Sequence, residues 1–524
     1  MFNRHLARWT VLLLTLWVPA VAAGGRLQNK INGVVQSSGL GKTKVALVVA
    51  DADNGQELAE LNPGQSMIPA SNMKLLATAT ALGVLGPQFM FRTELRLVRP
   101  HDWQRLPGAA VADPEFDPQH GPVLIVHGDG DPAFCDLEVM RQHDMDIEQL
   151  LQIWVEAVRN TGVARIQRLI IDDRVFDQQR FHASWPAQQM NMWYCAQVAG
   201  LNVNTNCLDV YVIPTSPGQT PQVHFSPVAQ FLSPSNRAVT SSSDTFWISR
   251  RPQTNEITYW GKVKSRRTKP YRVTIHDPAM FFGQLLTNRL RDAGIQVDRF
   301  NKPDPNDLMP QGAVLHAVQT TLPVILSRCN KDSQNLYAEA LLKRSGRRFT
   351  GTPGSWDNGA AAVRAFLNQR IGPKSASVIV ADGSGLSRFN QVTPRVVVDL
   401  LENMHHDKAI GPLWRDSFSI SGVDGTLRKR FRRELAGRVY GKSGYIDGVS
   451  CLSGYLVLPD TSPVAGRIHA DGMGERTIAF SFLFNDIQPP VYVHKIKKLQ
   501  EKLIDLIHQE MALQTAARTT GVKR

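Results

Sequence analysis

The sequence predicts an α/β (α+β) core whose two ends meet around one sheet, with a long module inserted between them. Three observations predict it. Two β-like runs and a helical run come early, within residues 44–86. From about residue 320 the helical signal resumes, followed by strands and a closing helix. The stretch between changes character, to short β-like runs broken by Gly, Pro and Asp. At 524 residues the chain is also too long for a single compact core.

The first 22 residues read as a signal peptide: a basic "MFNRHLAR", an apolar "WTVLLLTLWVPAVA", and Ala20-Val21-Ala22 in the small-x-small cleavage pattern. The apolar run falls short of the ~20 residues a membrane span needs. We expect export, to the periplasm or the cell-envelope exterior, with at most peripheral membrane association; an uncleaved anchor stays open. "KVALVVADADNGQELAELN" then reads as two strands around the Asn54-Gly55 turn signal. "PASNMKLLATATALGVLGP" starts a helix after Pro69 and stops it near Gly86-Pro87. Residues 23–87 and 310–512 form the expected discontinuous core, and 88–309 the inserted module.

Within the module, "GPVLIVHGDGDP", "IQRLIIDD" and "LDVYVIP" read as strands, and 213–272, rich in Ser, Thr, Pro and Gln, as a nested small β subdomain. Asp277 to Val297 reads as an amphipathic helix with Phe281, Leu285, Leu286 and Leu290 on one side. After 320 come three helical runs, then strands in "GRVYGKSGYIDG", "VSCLSGYLVLP" and "RTIAFSFLFN". A last helix, from about Val491 to Met511, presents Ile496, Leu499, Leu503, Leu506 and Ile507 on one face. Residues 513–524 read as a disordered tail.

Composition excludes some classes. Hydrophobic content of 43% and charged content of 20% belong to an ordinary globular chain. A net charge of +13 suggests an acidic partner, but no nucleic-acid-binding module is present, so nucleic acid is not expected. The basic runs "KSRRTK" and "RKRFRR" read as solvated faces. Five cysteines make neither a disulfide scaffold nor a metal pattern; a Cys195–Cys207 bridge is conceivable but not indicated. His405-His406 lacks companion ligands.

Three short stretches carry chemistry. Ser71 and Lys74 stand three apart on a helical run, hence on one face. A serine hydroxyl needs a base to become a nucleophile, and a lysine serves if burial and nearby cations lower its pKa. Ser333 and Asn335, in "SQN", put a hydroxyl and a carboxamide at a helix start or tight turn, where Ser333 as a helix cap is the plainer reading. Lys442-Ser443-Gly444 opens a strand with a cation and hydroxyl suited to a carboxylate, and a glycine that lets another backbone approach. Their order, Ser-x-x-Lys, Ser-x-Asn, Lys-Ser-Gly, is that of penicillin-recognising serine enzymes.

With these motifs the chain resembles the class C low-molecular-mass penicillin-binding proteins, the D-alanyl-D-alanine carboxypeptidase/endopeptidase family. "DGSGLSRFNQVTP", "CLSGYLVLPD", "GVDGTLRKRF" and "SQNLYAEALL" also match it, as does the 262-residue separation of Ser71 from Ser333. The resemblance implies the penicillin-binding/β-lactamase-like transpeptidase fold, an antiparallel sheet flanked by helices with large inserted domains. It implies peptidoglycan stem peptides as substrate, β-lactams as acylating inhibitors, and no metal or organic cofactor. By position, Ser71 is the nucleophile, Lys74 its base, and Ser333 the relay to the departing D-alanine. Asn335, Lys442, Ser443, Gly444 and Tyr445 bind substrate, with the N–H groups of Ser71 and Tyr445 as the oxyanion hole.

Two positions depart from that pattern. Tyr445 stands where a small hydroxyl residue is usual. In "SWPAQQMNMWYC", Gln188 and Gln189 fall where the family often has an acid that recognises a diamino-acid amine. Two other functions remain in view: a non-catalytic peptidoglycan-binding protein of the same fold, and a β-lactamase-like hydrolase.

Overall fold

Strands from the two ends of the chain join in one central sheet, four late strands followed by two early ones. In this computed structural model the described residues are 21–103, 121–431, 433–460 and 474–521. The sheet has six strands in the spatial order Ser419–Ile420, Val439–Ile446, Val449–Asp460, Gly474–Asn485, Lys44–Asp51 and Glu57–Leu61. Every neighbouring pair is antiparallel. Lys44–Asp51 pairs with the C-terminal strand from Lys44 opposite Asn485 to Asp51 opposite Ile478, which ties the early segment to the late one.

The two-residue period of a strand decides which helices cover which face. Ala46, Val48, Ala50, Ala479 and Leu483 point into the core under the helices Met73–Leu85, Asn335–Thr350, Trp356–Ile371 and Pro394–His406. Their alternates, Val45, Leu47, Val49, Phe480, Phe482 and Phe484, face the helices Val21–Ser37 and Val493–Gly521, which supply Leu27, Ile31, Ile496, Leu503 and Ile507. The expected face of the last helix is the one buried, although Leu506 is only partly covered.

The stretch after Pro87 builds a second sheet, in the order Gln296–Asn301, Arg165–Asp172, Val123–His127, Met90–Val98 and Ala313–Thr321. Its core is separate, centred on Trp154, Phe134 and Phe282 beneath the helices Ile147–Arg159 and Pro278–Asp292. The strand Ala313–Thr321 pairs along Met90 to Leu97, so this sheet reaches past residue 310 into the stretch expected to belong to the core. Smaller strands occupy 213–272: Trp247–Arg250 and Ile257–Trp260 pair antiparallel, and Gln222–Ser226 and Tyr271–Thr274 flank Cys207–Ile213.

Several expectations need correction. The helix Val21–Ser37 was not anticipated, because its polar positions hide the apolar pair Leu27 and Ile31. The expected leader falls on residues 1–22, of which 1–20 lie outside the described residues; Val21 and Ala22 begin this helix. The tail read as disordered continues the last helix to Gly521, since extending a formed helix through good helix formers such as Ala516 and Ala517 avoids nucleation; 522–524 lie outside the described residues. "RKRFRR" is only partly a solvated run. Arg430 donates to Glu501 at 2.7 Å and to the Lys497 carbonyl, and Phe431 is buried. All five cysteines are buried and unpaired.

Candidate active site

Ser71 does not sit in the α-helix itself. It lies in a 3-10 turn, Ala70–Asn72, just ahead of the helix Met73–Leu85. Ala70 adopts φ = 45°, the left-handed region that costs a non-glycine residue about 1–2 kcal/mol. Gly385 makes the turn possible, because a Cβ there would lie 1.7 Å from the Ala70 carbonyl oxygen. Ser71 is partly exposed at the edge of a cavity of about 620 Å³.

Lys74 is fully buried at the second position of the helix, one turn on. Its Nζ donates to Ser71 Oγ at 3.1 Å, Asn335 Oδ1 at 2.7 Å and the Ser384 carbonyl at 2.9 Å. Asn335 is oriented by its own Nδ2, which donates to the Tyr194 carbonyl at 2.9 Å. The helical run that begins at Leu322 breaks before it resumes: Leu322–Asn330 ends, and Asn335–Thr350 begins after Gln334. Ser333 lies in that break at φ = 57° and is not a helix cap. Its hydroxyl is free for another partner, Lys442 Nζ at 2.9 Å.

Lys442 is buried in the strand Val439–Ile446 and also donates to the Ser443 carbonyl at 2.9 Å. The strand's short outer partner stops at Ser419 opposite Gly441, leaving residues 443–446 as an edge beside Ser71. Gly444 permits that approach: a Cβ on it would meet the Pro69 carbonyl at 2.9 Å and the Ser71 nitrogen at 3.1 Å. Ser443 Oγ donates to Thr426 Oγ1 at 2.9 Å. Tyr445 turns its ring outward, 56% exposed at the cavity mouth.

The charge balance suits a serine activated by an amine. Burial draws Lys74 down from 10.5 to about 8, while Cys329, Glu339 and Asp382 pull the other way. Lys442 is held well below the ordinary lysine value, first by burial and then by the charge of Lys74. Beneath Lys74, burial and the nearby Asp382 push Glu339 up to about 7, against hydrogen bonds from Ser384, Gly383 and Trp356. Among the described residues no group of three or more His, Cys, Asp or Glu side chains converges as a metal site.

Comparison with known proteins fits this geometry. The family described as D-Ala-D-Ala carboxypeptidase 3 (S13) matches residues 27–504. The chain belongs to this S13 family. A D-alanyl-D-alanine carboxypeptidase of Actinomadura sp. (strain R39) is 31% identical over 471 residues, covering 84% of this chain and 81% of that protein. D-alanyl-D-alanine carboxypeptidase DacB of Haemophilus influenzae is 26% identical, covering 79% and 82%. The crystal structure of penicillin binding protein 4 (dacB) from Haemophilus influenzae superposes with a TM-score of 0.70 at 21% identity, over 91% of this chain and 99% of that one, so the fold is shared.

All eight residues singled out in this S13 chain fall around Ser71 or along the neighbouring strand edge. Sequence reasoning missed the support. "DGSGLSRFNQVTP" carried the resemblance without an assigned role, yet it delivers the Ser384 carbonyl to Lys74. Asp382 shapes that loop by accepting from Gly385 N, Ser387 N, Asn390 Nδ2 and Trp185 Nε1. Glu339 accepts from Gly383 N, Ser384 N and Trp356 Nε1. Two glycines and an acid in one short loop were the available signal. Thr426 had none. Gln188 and Gln189, from the inserted module, line the cavity as the sequence suggested, and Tyr194 OH donates to Gln189 Oε1 at 3.1 Å.

Proposed function

We propose how this chain carries out the reaction of its family. It is a serine-type D-Ala-D-Ala carboxypeptidase acting on peptidoglycan, and Ser71 is the residue it acylates. The observation that supports this most is Lys74, a buried amine within hydrogen-bond reach of Ser71 Oγ and anchored on two further acceptors. Neutral Lys74 takes the Ser71 proton as Oγ bonds to the carbonyl carbon of the penultimate D-alanine. The Ser71 and Tyr445 N–H groups receive the developing oxyanion, where one donor is worth ~3 kcal/mol.

The C–N bond then breaks. Ser333, held by Lys442, passes a proton to the departing D-alanine, and the count closes when Ser333 is resupplied from the Lys74 ammonium. Neutral Lys74 then activates the water that hydrolyses the ester, without a cofactor. Lys442 and Ser443 hold the terminal carboxylate, with the Thr426 hydroxyl beside them where the usual serine or threonine after the glycine is replaced by Tyr445.

A β-lactam offers the same kind of carbonyl with a leaving group that stays tethered, so it acylates Ser71 and lingers. The structure of the Haemophilus protein complexed with a β-lactam is consistent with this. Release from the cytoplasm through the N-terminal leader completes the reading; among the described residues no helix is long and apolar enough to cross a membrane.

The test is release of D-alanine from a peptide ending in D-Ala-D-Ala, by wild type and by Ser333→Ala. We expect turnover by the wild type and a loss of ~10²–10⁴-fold in the variant, the range for a removed proton-transfer group. No release by the wild type would favour a wall-binding protein of the same fold.

A further inference from the structure

The small β subdomain holds more than half of the chain's surplus charge. Residues 213–272 contain nine Lys and Arg against two acidic residues, Asp244 and Glu256, in a chain of net charge +13. Strand alternation sorts this segment into two faces. Phe246, Ala238 and Tyr259 turn inward and are buried. Trp247, Trp260 and Arg237 turn outward in a row across three strands: Trp247 stands opposite Trp260, and Arg237 follows the Ser235–Asn236 strand paired beside Ile257–Trp260.

The row is ordered although it faces solvent. The two indoles stack with centroids 5.7 Å apart and planes within 12°. The Arg237 guanidinium lies 5.2 Å from the Trp260 ring centroid. Trp260 Nε1 donates to Ser249 Oγ at 2.8 Å, which sets its ring. Trp247, at the open end, is 53% exposed. Lys262, Lys264, Arg266, Arg267 and Lys269 follow on the exposed side. A flat indole receives the C–H face of a sugar ring, and the cations suit acidic groups.

The subdomain is also joined to the catalytic wall. Asn191 Nδ2 donates to the Arg250 carbonyl at 3.2 Å and Thr274 Oγ1 to the Met190 carbonyl at 2.8 Å, so the strand carrying Trp247 braces the segment that presents Gln188, Gln189, Trp193 and Tyr194 to the cavity.

We propose that this face binds the peptidoglycan strand itself, with a sugar ring on Trp247 and the free carboxylates of an attached stem peptide paired by Arg237 and Lys262. The choice of polymer rests on the proposed function. Bare cations would serve a phosphate polymer or an acidic lipid surface equally; the ordered indole row favours a glycan. Holding the strand there raises the local concentration of its other stem peptides at the enzyme.

Co-sedimentation with purified sacculi tests this, using the mature chain with Ser71→Ala to prevent turnover, with and without Trp247→Ala or Arg237→Ala/Lys262→Ala. Each added change is expected to weaken sacculus binding about tenfold, or ~1.4 kcal/mol. In the otherwise wild-type chain the same changes leave D-alanine release from a soluble peptide unaltered, which also certifies their fold. Undiminished sacculus binding overturns the proposal. So does a loss seen only with a phosphate polymer or anionic phospholipid vesicles. If the soluble peptide is never cleaved, the catalytic reading fails while the sacculus result still reports on this face.

Discussion

The amide oxygen of Asn335 stands 2.7 Å from Lys74 Nζ, across 261 residues of chain. That oxygen and the Ser384 carbonyl at 2.9 Å can only accept. A neutral Lys74 therefore keeps its two protons on them and turns its lone pair to the one partner able to donate, Ser71 Oγ. Two hydrogen bonds made away from the substrate set the direction of proton transfer.

Lys74→Met keeps much of the side chain's length and removes the base. Acylation by a fluorescent penicillin is expected to slow by ~10²–10⁴-fold, with circular dichroism unchanged. A variant acylated at the wild-type rate would transfer the role of base to another group.

The pH profile follows from the same amine. With Lys74 near 8, the neutral fraction, and with it the acylation rate, climbs as pH rises through about 8 and then levels. A rate independent of pH across that range would contradict the assignment. Stability has its own sign. Between about 8 and 10.5 the unfolded chain binds the Lys74 proton and the folded one does not, so this residue's contribution improves as pH rises there; below about 8 its burial cost is at its full value. Glu339, raised to about 7 from 4.5, works oppositely, losing stability as pH rises between those values.

Gly385→Ala should damage the site through its backbone. With φ = 82° at Gly385 and the Ala70 carbonyl in the place of a Cβ, the turn that carries Ser71 must shift. We expect a loss of ~1–3 kcal/mol in denaturant unfolding together with slowed acylation. Intact stability and rate would show that the turn yields freely.

Gln189→Glu introduces a carboxylate at the cavity wall while preserving an oxygen for Tyr194 OH. The expected result is a rise of about tenfold in kcat/KM for peptides with a free side-chain amine over the same peptides acetylated there. An unchanged ratio would place amine recognition elsewhere on the wall.

The hairpin around Asn54-Gly55 and the helix after Pro69 were legible because turn chemistry and periodicity are local. The three catalytic motifs were legible for a different reason: each needs particular residue types at fixed short spacing. What escaped depends on distant partners. Nothing near Ala313–Thr321 says that it pairs with Met90–Val98, and by itself Ser333 reads more plainly as a helix cap; only the fold sets Lys442 against it. Glu339 resembled any acid on a helix; only the fold buries it under the Ser384 loop. Thr426 became visible once Ser443 donated to it.

The most direct measurement is the intact mass of the purified mature protein after brief exposure to a penicillin, with Ser71→Ala in parallel. The account predicts a one-to-one covalent adduct on the wild type, mapped to the peptide containing Ser71, and none on the variant. An adduct that persists in Ser71→Ala, or none on a folded wild type, would contradict Ser71 as the nucleophile.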